Sequence, residues 1–382
     1  MPDADHRATQ AAIVSGETWV RFCDTLGRAG QQILRPEAPV DALTRAEGWR
    51  YLTRLARIAL EMHVEYGDPL YPGFVRPSHE TAKIGADNPD NLYLSARLDG
   101  RHDYLVRGRR GSVHGLYFAT KSGGYADADG RMPGSGFLDG RDLQVAADGT
   151  FELRLSTQRR AGNWLAMTVE TNQLLVRQTF LDRAREQAAE LEIECLGAGP
   201  RPPLDPIALH DRLQRAAAFV ENTARLLADW VQQFRTQPVN TLPARDQQMF
   251  QAAGGDPNIF YFHGHWALDE DEALLVEVAQ LPPCDFWNFQ LDNYWMESLD
   301  YRHHRIHHNQ HSARRDAAGG VRLIVAHRDP GLPNWLETAG HRAGTMCFRW
   351  IGASQTPAPQ TRVVKLSELA SLAAVRGAGD GL

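Results

Sequence analysis

The stretch from His327 to Arg342 gathers residue types that can move protons. His327, Asp329 and His341 lie in one strand-to-loop segment, with Trp335 and Glu337 between them. Imidazole titrates near neutrality and burial can tune a carboxylate upward, so neighbours of these kinds can divide acid and base roles. In that reading His327 and His341 exchange protons, Asp329 orients one of them, and Asp300 with Tyr301 positions a substrate. A nearby tryptophan can stack on a sugar or another planar or apolar face. The plainer reading is a polar turn whose His and Asp satisfy backbone groups, with Trp335 in the core.

Two other clusters invite chemistry. Residues 301–311 read Tyr-Arg-His-His-Arg-Ile-His-His-Asn-Gln-His. On a helix His303, His307 and His311 would share a face, and imidazoles at that spacing can chelate zinc. On a strand the odd-numbered positions would share a side instead. His263 and His265 are two apart, a spacing that aims both inward in a β-sandwich. No carboxylate pattern completes either cluster, so no metal is assigned. Arg302 and Arg305 could equally receive an anionic group. Phe286, Trp287, Phe289, Tyr294 and Trp295 can line an apolar cavity with Asp292, Asp300 and Tyr301 as polar handles, or can form a sandwich core. The candidate substrate-binding residues are Trp295, Tyr294, Asp292, Asn309, Trp335, Glu337, Arg349 and Arg302.

Those residues need a scaffold, and the patterning supplies one. Residues 41–66 repeat apolar positions (Leu43, Ala46, Leu52, Leu55, Ile58, Ala59, Met62) at helical spacing. From Asn91 the period becomes two, and Asp99-Gly100 followed by Tyr104 and Val106 reads as a hairpin. Short strands continue to Cys195. Asp205 then caps a helix with Pro206 in its first turn. Leu209, Leu213, Ala217, Val220, Ala224, Leu227, Val231 and Phe234 carry it for about eight turns. Strand patterning returns from Asn258 to Leu366.

The two strand regions look like copies. Asn163-Trp164-Leu165 follows Gly149 by 14 residues, and Asn334-Trp335-Leu336 follows Gly320 by 14. Each copy continues into an apolar strand bearing an arginine, Arg177 or Arg349. The first copy has Ser156 and Gln158 where the second has His327 and Asp329, so the shared tryptophan reads as scaffold. The expected architecture is mainly β with helical additions: two duplicated β-sandwich or jelly-roll-like units bridged by a long helix. The expected divisions are a helical region (1–88), a first sandwich (89–200), a bridging helix and linker (201–254) and a second sandwich (255–382).

Composition narrows the function. The chain has 382 residues and a net charge of −6, which argues against nucleic-acid backbone binding. Phosphate-binding glycine loops, the dinucleotide fingerprint, H-E-x-x-H and G-x-S-x-G are all absent, so no organic cofactor is expected. The four cysteines form no C-x-x-C pair and fit a reducing compartment, and the cytoplasm is expected. No basic-then-apolar leader is read, and no run reaches the roughly 18 to 20 apolar residues of a membrane helix.

Several motifs resemble a known bacterial family. They are Ser298-Leu299-Asp300-Tyr301, Ala326-His327-Arg328-Asp329-Pro330-Gly331, Pro333-Asn334-Trp335-Leu336, Gly340-His341-Arg342 and Thr361-Arg362-Val363-Val364. Together they resemble the family catalogued as domain of unknown function 1214, over residues 40–370. The resemblance implies a β-sandwich related to jelly rolls, often found with a 1254-type partner domain. Its members abound in bacteria that degrade lipids, steroids and aromatic compounds, which implies a small apolar substrate. Asn309 fits the family pattern, whereas the histidines around it depart from it.

The leading expectation is an enzyme without an organic cofactor, a lyase, isomerase or hydrolase acting on a small, largely apolar or cyclic molecule. The alternatives are a non-catalytic carbohydrate- or lipid-binding sandwich and a cupin-like metalloenzyme using the His-rich segment. Exposed sandwich edges suit a homodimer.

Overall fold

A computed structural model describes residues 4–369. Helices α1 (Ala4–Ser15), α2 (Glu17–Ala29) and α3 (Ala42–Leu60) come first. Asp41 caps α3 by accepting from the Thr44 amide at 2.8 Å, which satisfies one orphan donor of its first turn. The buried stripe of α3 runs through Gly48, Tyr51, Leu55 and Ile58. Leu55, Ile58 and Ala59 are buried as expected, whereas Leu43 at the start of the helix is 46% exposed. The helix also changes pitch: Glu61–Glu65 is a π turn, closed by the Tyr66 amide on the Glu61 carbonyl at 2.9 Å.

The first copy holds β1 (Asn91–Arg97), β2 (Tyr104–Arg109), β3 (Gly115–Ser122), β4 (Gly134–Asp139), β5 (Thr150–Ser156), β6 (Trp164–Ala166), β7 (Thr171–Thr179) and β8 (Glu190–Cys195). Helix α4 (Pro206–Arg235) and the short α5 (Gln247–Ala252) follow. The second copy holds β9 (Ile259–Ala267), β10 (Glu272–Val278), β11 (Phe286–Asp292), β12 (His307–Asn309), β13 (Val321–Ala326), β14 (Trp335–Glu337), β15 (Ala343–Ile351) and β16 (Gln360–Lys365).

Strand order establishes the duplication. The first copy forms sheets β1-β7-β3-β4 and β6-β5-β2-β8. The second forms β9-β15-β11-β12 and β14-β13-β10-β16, the same orders with each strand number advanced by eight. In each copy one apolar cluster draws on both sheets. Leu98, Val106, Phe118, Leu153 and Val176 contribute in the first. Phe262, Val276, Phe289, Leu323 and Phe348 contribute in the second. The molecule is therefore mainly β with helical additions, two duplicated sandwiches with a long helix between them in sequence.

The shared Asn-Trp-Leu is scaffold for a specific reason. Asn163 accepts from the Gln144 amide at 2.7 Å and donates to the Gln144 and Glu152 carbonyls, both at 2.9 Å. Asn334 accepts from the Arg314 amide at 2.7 Å and donates to the carbonyls of Arg314 at 2.7 Å and Arg322 at 2.9 Å. Each asparagine pins a loop to a strand, and the following residues add a short parallel strand. Asn334→Ala leaves three half-buried backbone groups without this partner, and is expected to lower stability by about 1 to 3 kcal/mol, read as the urea midpoint. A loss under about 0.5 kcal/mol would contradict the pinning role.

The Asp99-Gly100 segment corrects the hairpin expectation. β1 pairs with β7, while β2 pairs with β5 and β8, so this turn crosses between sheets. The Asp99 carboxylate accepts from the Arg101 amide at 3.0 Å, and the Tyr104 hydroxyl accepts from the Asp99 amide at 2.8 Å. A Cβ on Gly100 would sit 2.0 Å from the Thr168 carbonyl, so only glycine fits. α4 forms as expected, with Asp205 accepting from the Ile207 amide at 2.9 Å.

The chain divides into two compact units. Unit 1 is Met1–Ile84, Asp90–Ala228 and Gln251–Gly254; unit 2 is Gly85–Pro89, Asp229–Phe250 and Gly255–Leu382. The N-terminal helices thus group with the first sandwich, α4 divides between the units, and five residues from the first half belong to the second. Among the described residues no helix is long and apolar enough to cross a membrane.

Candidate functional site

The segment expected to carry chemistry is a bonded turn. His327 follows β13, with Nδ1 2.7 Å from the Thr338 hydroxyl and Nε2 3.2 Å from the Leu268 carbonyl. The carbonyl can only accept, so Nε2 carries the proton and Nδ1 accepts from Thr338. Asp329 accepts from the Gly331 amide at 2.8 Å, and Gly331 has φ +71°. His341 Nδ1 lies 3.0 Å from the Thr338 carbonyl. His327 and His341 therefore meet at Thr338, but as braces of one turn. Trp335 donates to the Ala326 carbonyl at 2.9 Å, and Glu337 pairs with His304 at 3.0 Å. Asp300 forms a forked pair with Arg302 at 2.9 and 2.7 Å, and Tyr301 packs against the unit 2 core.

The His-rich run is not a helix, which corrects the helical reading. His303 and His304 lie in a turn on the Asp300 carbonyl, and β12 begins at His307. Asn309 accepts from the amides of His311 at 2.9 Å and Ser312 at 3.0 Å, a turn-capping role. Among the described residues no three His, Cys, Asp or Glu side chains are grouped to hold a metal ion.

Polar chemistry collects elsewhere in unit 2. On the first sheet, one face of each strand enters the core and the other is polar. Its rows, read across β9, β15 and β11, are Tyr261–Arg349–Asn288, His263–Cys347–Gln290 and His265–Thr345–Asp292. Except for Tyr261 these side chains are buried. Arg349 donates to Asn288 Oδ1 at 3.3 Å, to Gln290 Oε1 at 2.6 Å and to the Ala86 carbonyl, with its guanidinium 5.9 Å from the Tyr261 ring centre. Gln290 donates to the Asp87 carbonyl at 3.0 Å and to Asp292 at 2.5 Å. Asn288 donates to Asn88 at 2.6 Å, and Asp87 accepts from Ser298 N and Oγ at 3.0 and 2.9 Å.

Backbone strain marks the same place. Ala86 and Met296 have φ +55° and +56°, and the Ala86 amide donates to the Met296 carbonyl at 2.6 Å. Side chains rarely accept that conformation, and such residues concentrate where geometry matters to function. Tyr294 and Trp295 follow β11 as a buried edge-to-face pair 4.9 Å apart, and Arg235 lies 5.8 Å from the Tyr294 ring centre.

Burial sets the charges. His263 is stacked on Phe234 at 5.1 Å, and burial, then Arg349 and Arg245, hold it well below the usual histidine range. His265 is pushed down to about 4 by burial and by Arg235. Both are neutral at pH 7, and the Nδ1 atom of each is buried without a hydrogen-bond partner. The Cys347 thiol lies 3.6 Å from His263 Nε2 and is pushed up to about 12 by burial. That couple is a thiol beside a neutral imidazole, not a nucleophilic thiolate.

The first copy keeps the frame and changes the groups. Its rows are Tyr93–Arg177–Tyr117, Ser95–Leu175–Ala119 and Arg97–Gln173–Lys121. The tyrosine–arginine pair is common to both copies. The last row is cationic in unit 1, where unit 2 has a histidine and a carboxylate.

Comparison with known proteins gives a relative. No family model matches the chain, and no curated protein matches it. A solved structure from Burkholderia cenocepacia, described as an uncharacterized protein, is 60% identical, with TM-score 0.91 over 94% of this chain and 99% of that one. The chain belongs to the same family as that protein. The VPA0106 protein from Vibrio parahaemolyticus is 12% identical, with TM-score 0.48 over 83% of this chain and 97% of that one.

Of the candidate residues, Arg349 and Asp292 stand on the polar face, and Tyr294 and Trp295 follow directly from its β11 strand. Asn288, Thr345 and Cys347 were not singled out from the sequence as site residues. The alternation Trp287-Asn288-Phe289-Gln290-Leu291-Asp292 carried the signal, because period two puts the three polar residues together.

Proposed function

We propose that the protein is an enzyme that needs no organic cofactor and acts by proton transfer on a small, largely apolar or cyclic molecule. Its centre would be the polar face of unit 2, not the His327–His341 turn. The observation that supports this reading is His265, a buried neutral imidazole with an unpartnered ring nitrogen, in one row with Thr345 and Asp292. Two strand spacings, about 10 Å, separate the outer backbones of that row. A neutral imidazole can donate a hydrogen bond to a carbonyl without supplying a charge, and a carboxylate opposite can take a proton from the adjacent carbon. That division suits an isomerase or lyase better than a hydrolase. Arg349 holds the floor in place, and Tyr294 and Trp295 supply apolar surface.

A metabolite screen with purified wild type, His265→Gln, Asp292→Asn and His327→Gln tests the proposal. Turnover should fall about 10²- to 10⁴-fold in the first two variants and stay near wild type in His327→Gln. Loss confined to His327→Gln would move the centre back to the turn. Uptake without conversion by wild type would instead support a non-catalytic binding sandwich, a reading favoured by how fully Arg349 and Gln290 are hydrogen-bonded. Assignment to the domain family of unknown function 1214, with an apolar substrate and a cytoplasmic, homodimeric protein, belongs to the same proposal. It rests on the Ala326–Gly331 and Pro333–Leu336 motifs, the free cysteines and the sandwich edges.

A further inference from the structure

Unit 1 carries a cluster of donors with too few acceptors. Arg97 ends β1, and its neighbours Ala96 and Leu98 enter the core, so its side chain lies on the opposite face of the sheet. Among the described residues the Arg97 guanidinium makes no hydrogen bond and no ion pair. Burial, then Arg215, lower it to about 10. Arg215 comes from α4. One of its nitrogens is 3.3 Å from Asp127, while its Nε is buried without a partner. His63 stands in the π turn after α3, with its ring 5.5 Å from Phe219 of α4. It is 7% exposed, and its Nε2 has no hydrogen-bond partner. Burial, then Arg97 and Arg215, push it down to about 3, so it is neutral.

These groups come from three separate elements, the end of β1, the π turn and α4. α3 changes to π pitch at His63, a change of helix type found often at functional sites. A Cβ on Gly67 would sit 1.9 Å from the His63 carbonyl, so glycine is needed for the chain to close on that turn. Arg215 stands near enough to lower Arg97, and with Asp127 as the near acid the cluster is net positive. Of the other charges in reach, Asp99 is held by Arg101. Removing a guanidinium from water without a partner is unfavourable, and fixed N–H groups with no acceptor lose their hydrogen bonds to water. A protein keeps such an arrangement when something else supplies the acceptors.

We propose that His63, Arg97 and Arg215 form a binding site for the oxyanion of a small molecule, a carboxylate or a phosphate, in unit 1. The planar forks of the arginines suit two-oxygen recognition, and a neutral imidazole N–H can donate a third bond. Phe219, with Tyr125 at 6.2 Å from it, gives the ligand's carbon skeleton an aromatic wall. In unit 2 the position of Arg97 is taken by His265, so this site is a property of one copy and does not depend on the proposed enzyme centre.

Melting curves of the full chain at constant ionic strength test it, with phosphate, acetate or benzoate replacing chloride. Wild type should gain several degrees with at least one of them, and which one separates phosphate from carboxylate recognition. Arg97→Met should melt at or above wild type in chloride, because it removes a half-buried cation that repels Arg215, and its response to the anion should be at least tenfold weaker in Kd. His265→Gln should respond as wild type does, which separates this site from the unit 2 centre. An absent response in wild type to all three anions would overturn the proposal. So would an undiminished response in Arg97→Met, or a melting point for that variant several degrees below wild type in chloride.

Discussion

Arg349→Met is expected to lower the stability of unit 2 by about 3 to 5 kcal/mol. The side chain is 4% exposed and donates to Asn288, Gln290 and the Ala86 carbonyl. Methionine fills much of the volume but donates nothing. Three oxygens, fixed by a strand and a left-handed turn, would then be buried without a donor. They cannot turn outward, since Asn288 and Gln290 also donate to Asn88 and to the Asp87 carbonyl at 2.6 and 3.0 Å. Urea unfolding followed by tryptophan fluorescence reads the change, because Trp287, Trp266 and Trp350 are buried in this unit's core. A midpoint within experimental error of wild type would contradict the role given to Arg349.

Acid should weaken both units well before the carboxylates titrate. His63 in unit 1 and His265 in unit 2 are lowered from 6.5 to about 3 and about 4. The unfolded chain therefore binds a proton near pH 6.5 that the folded unit refuses. The stabilisation of the neutral state is complete above pH 6.5 and is lost as pH falls toward the folded values. Each histidine contributes a slope of about 1.4 kcal/mol per pH unit in that window, on the order of 3 to 5 kcal/mol in all. Denaturant midpoints between pH 7 and 4.5 read the slope. His265→Gln should lessen the slope of the unit 2 transition, where His263 still contributes, and His63→Gln should lessen that of unit 1. Unchanged slopes in the two variants would show that neither ring is excluded from water.

What the sequence disclosed and what it hid follow one physical line. The duplication was legible because Asn163 and Asn334 make the same three bonds, and no other residue type supplies that combination from so short a side chain. Helix α4 was legible because its cap and apolar spacing agree. The polar turn at His327 shows the opposite case: a sequence states which groups are present, not which are already bonded. His327, Asp329 and His341 look reactive as letters, yet each braces backbone or a hydroxyl. Asn288 and Gln290 look ordinary as letters and become distinctive only when the register sets them beside Arg349. Arg97 was passed over because neither a charge at a strand end nor a histidine in a helix is remarkable until the pairing places both under α4.

Residues 85–89 give unit 2 an unusual history. They leave the ribosome long before β9, which follows about 170 residues later. At about 5 to 20 residues per second, that gap is roughly 10 to 30 seconds, during which Asp87 and Asn88 have no Ser298 or Asn288 to meet. The second sandwich therefore cannot finish as a unit in order of synthesis, and must recapture a strand of chain made earlier. A gene cut between the copies would produce a second half that lacks part of its own floor, which ties the two copies into a single heritable piece.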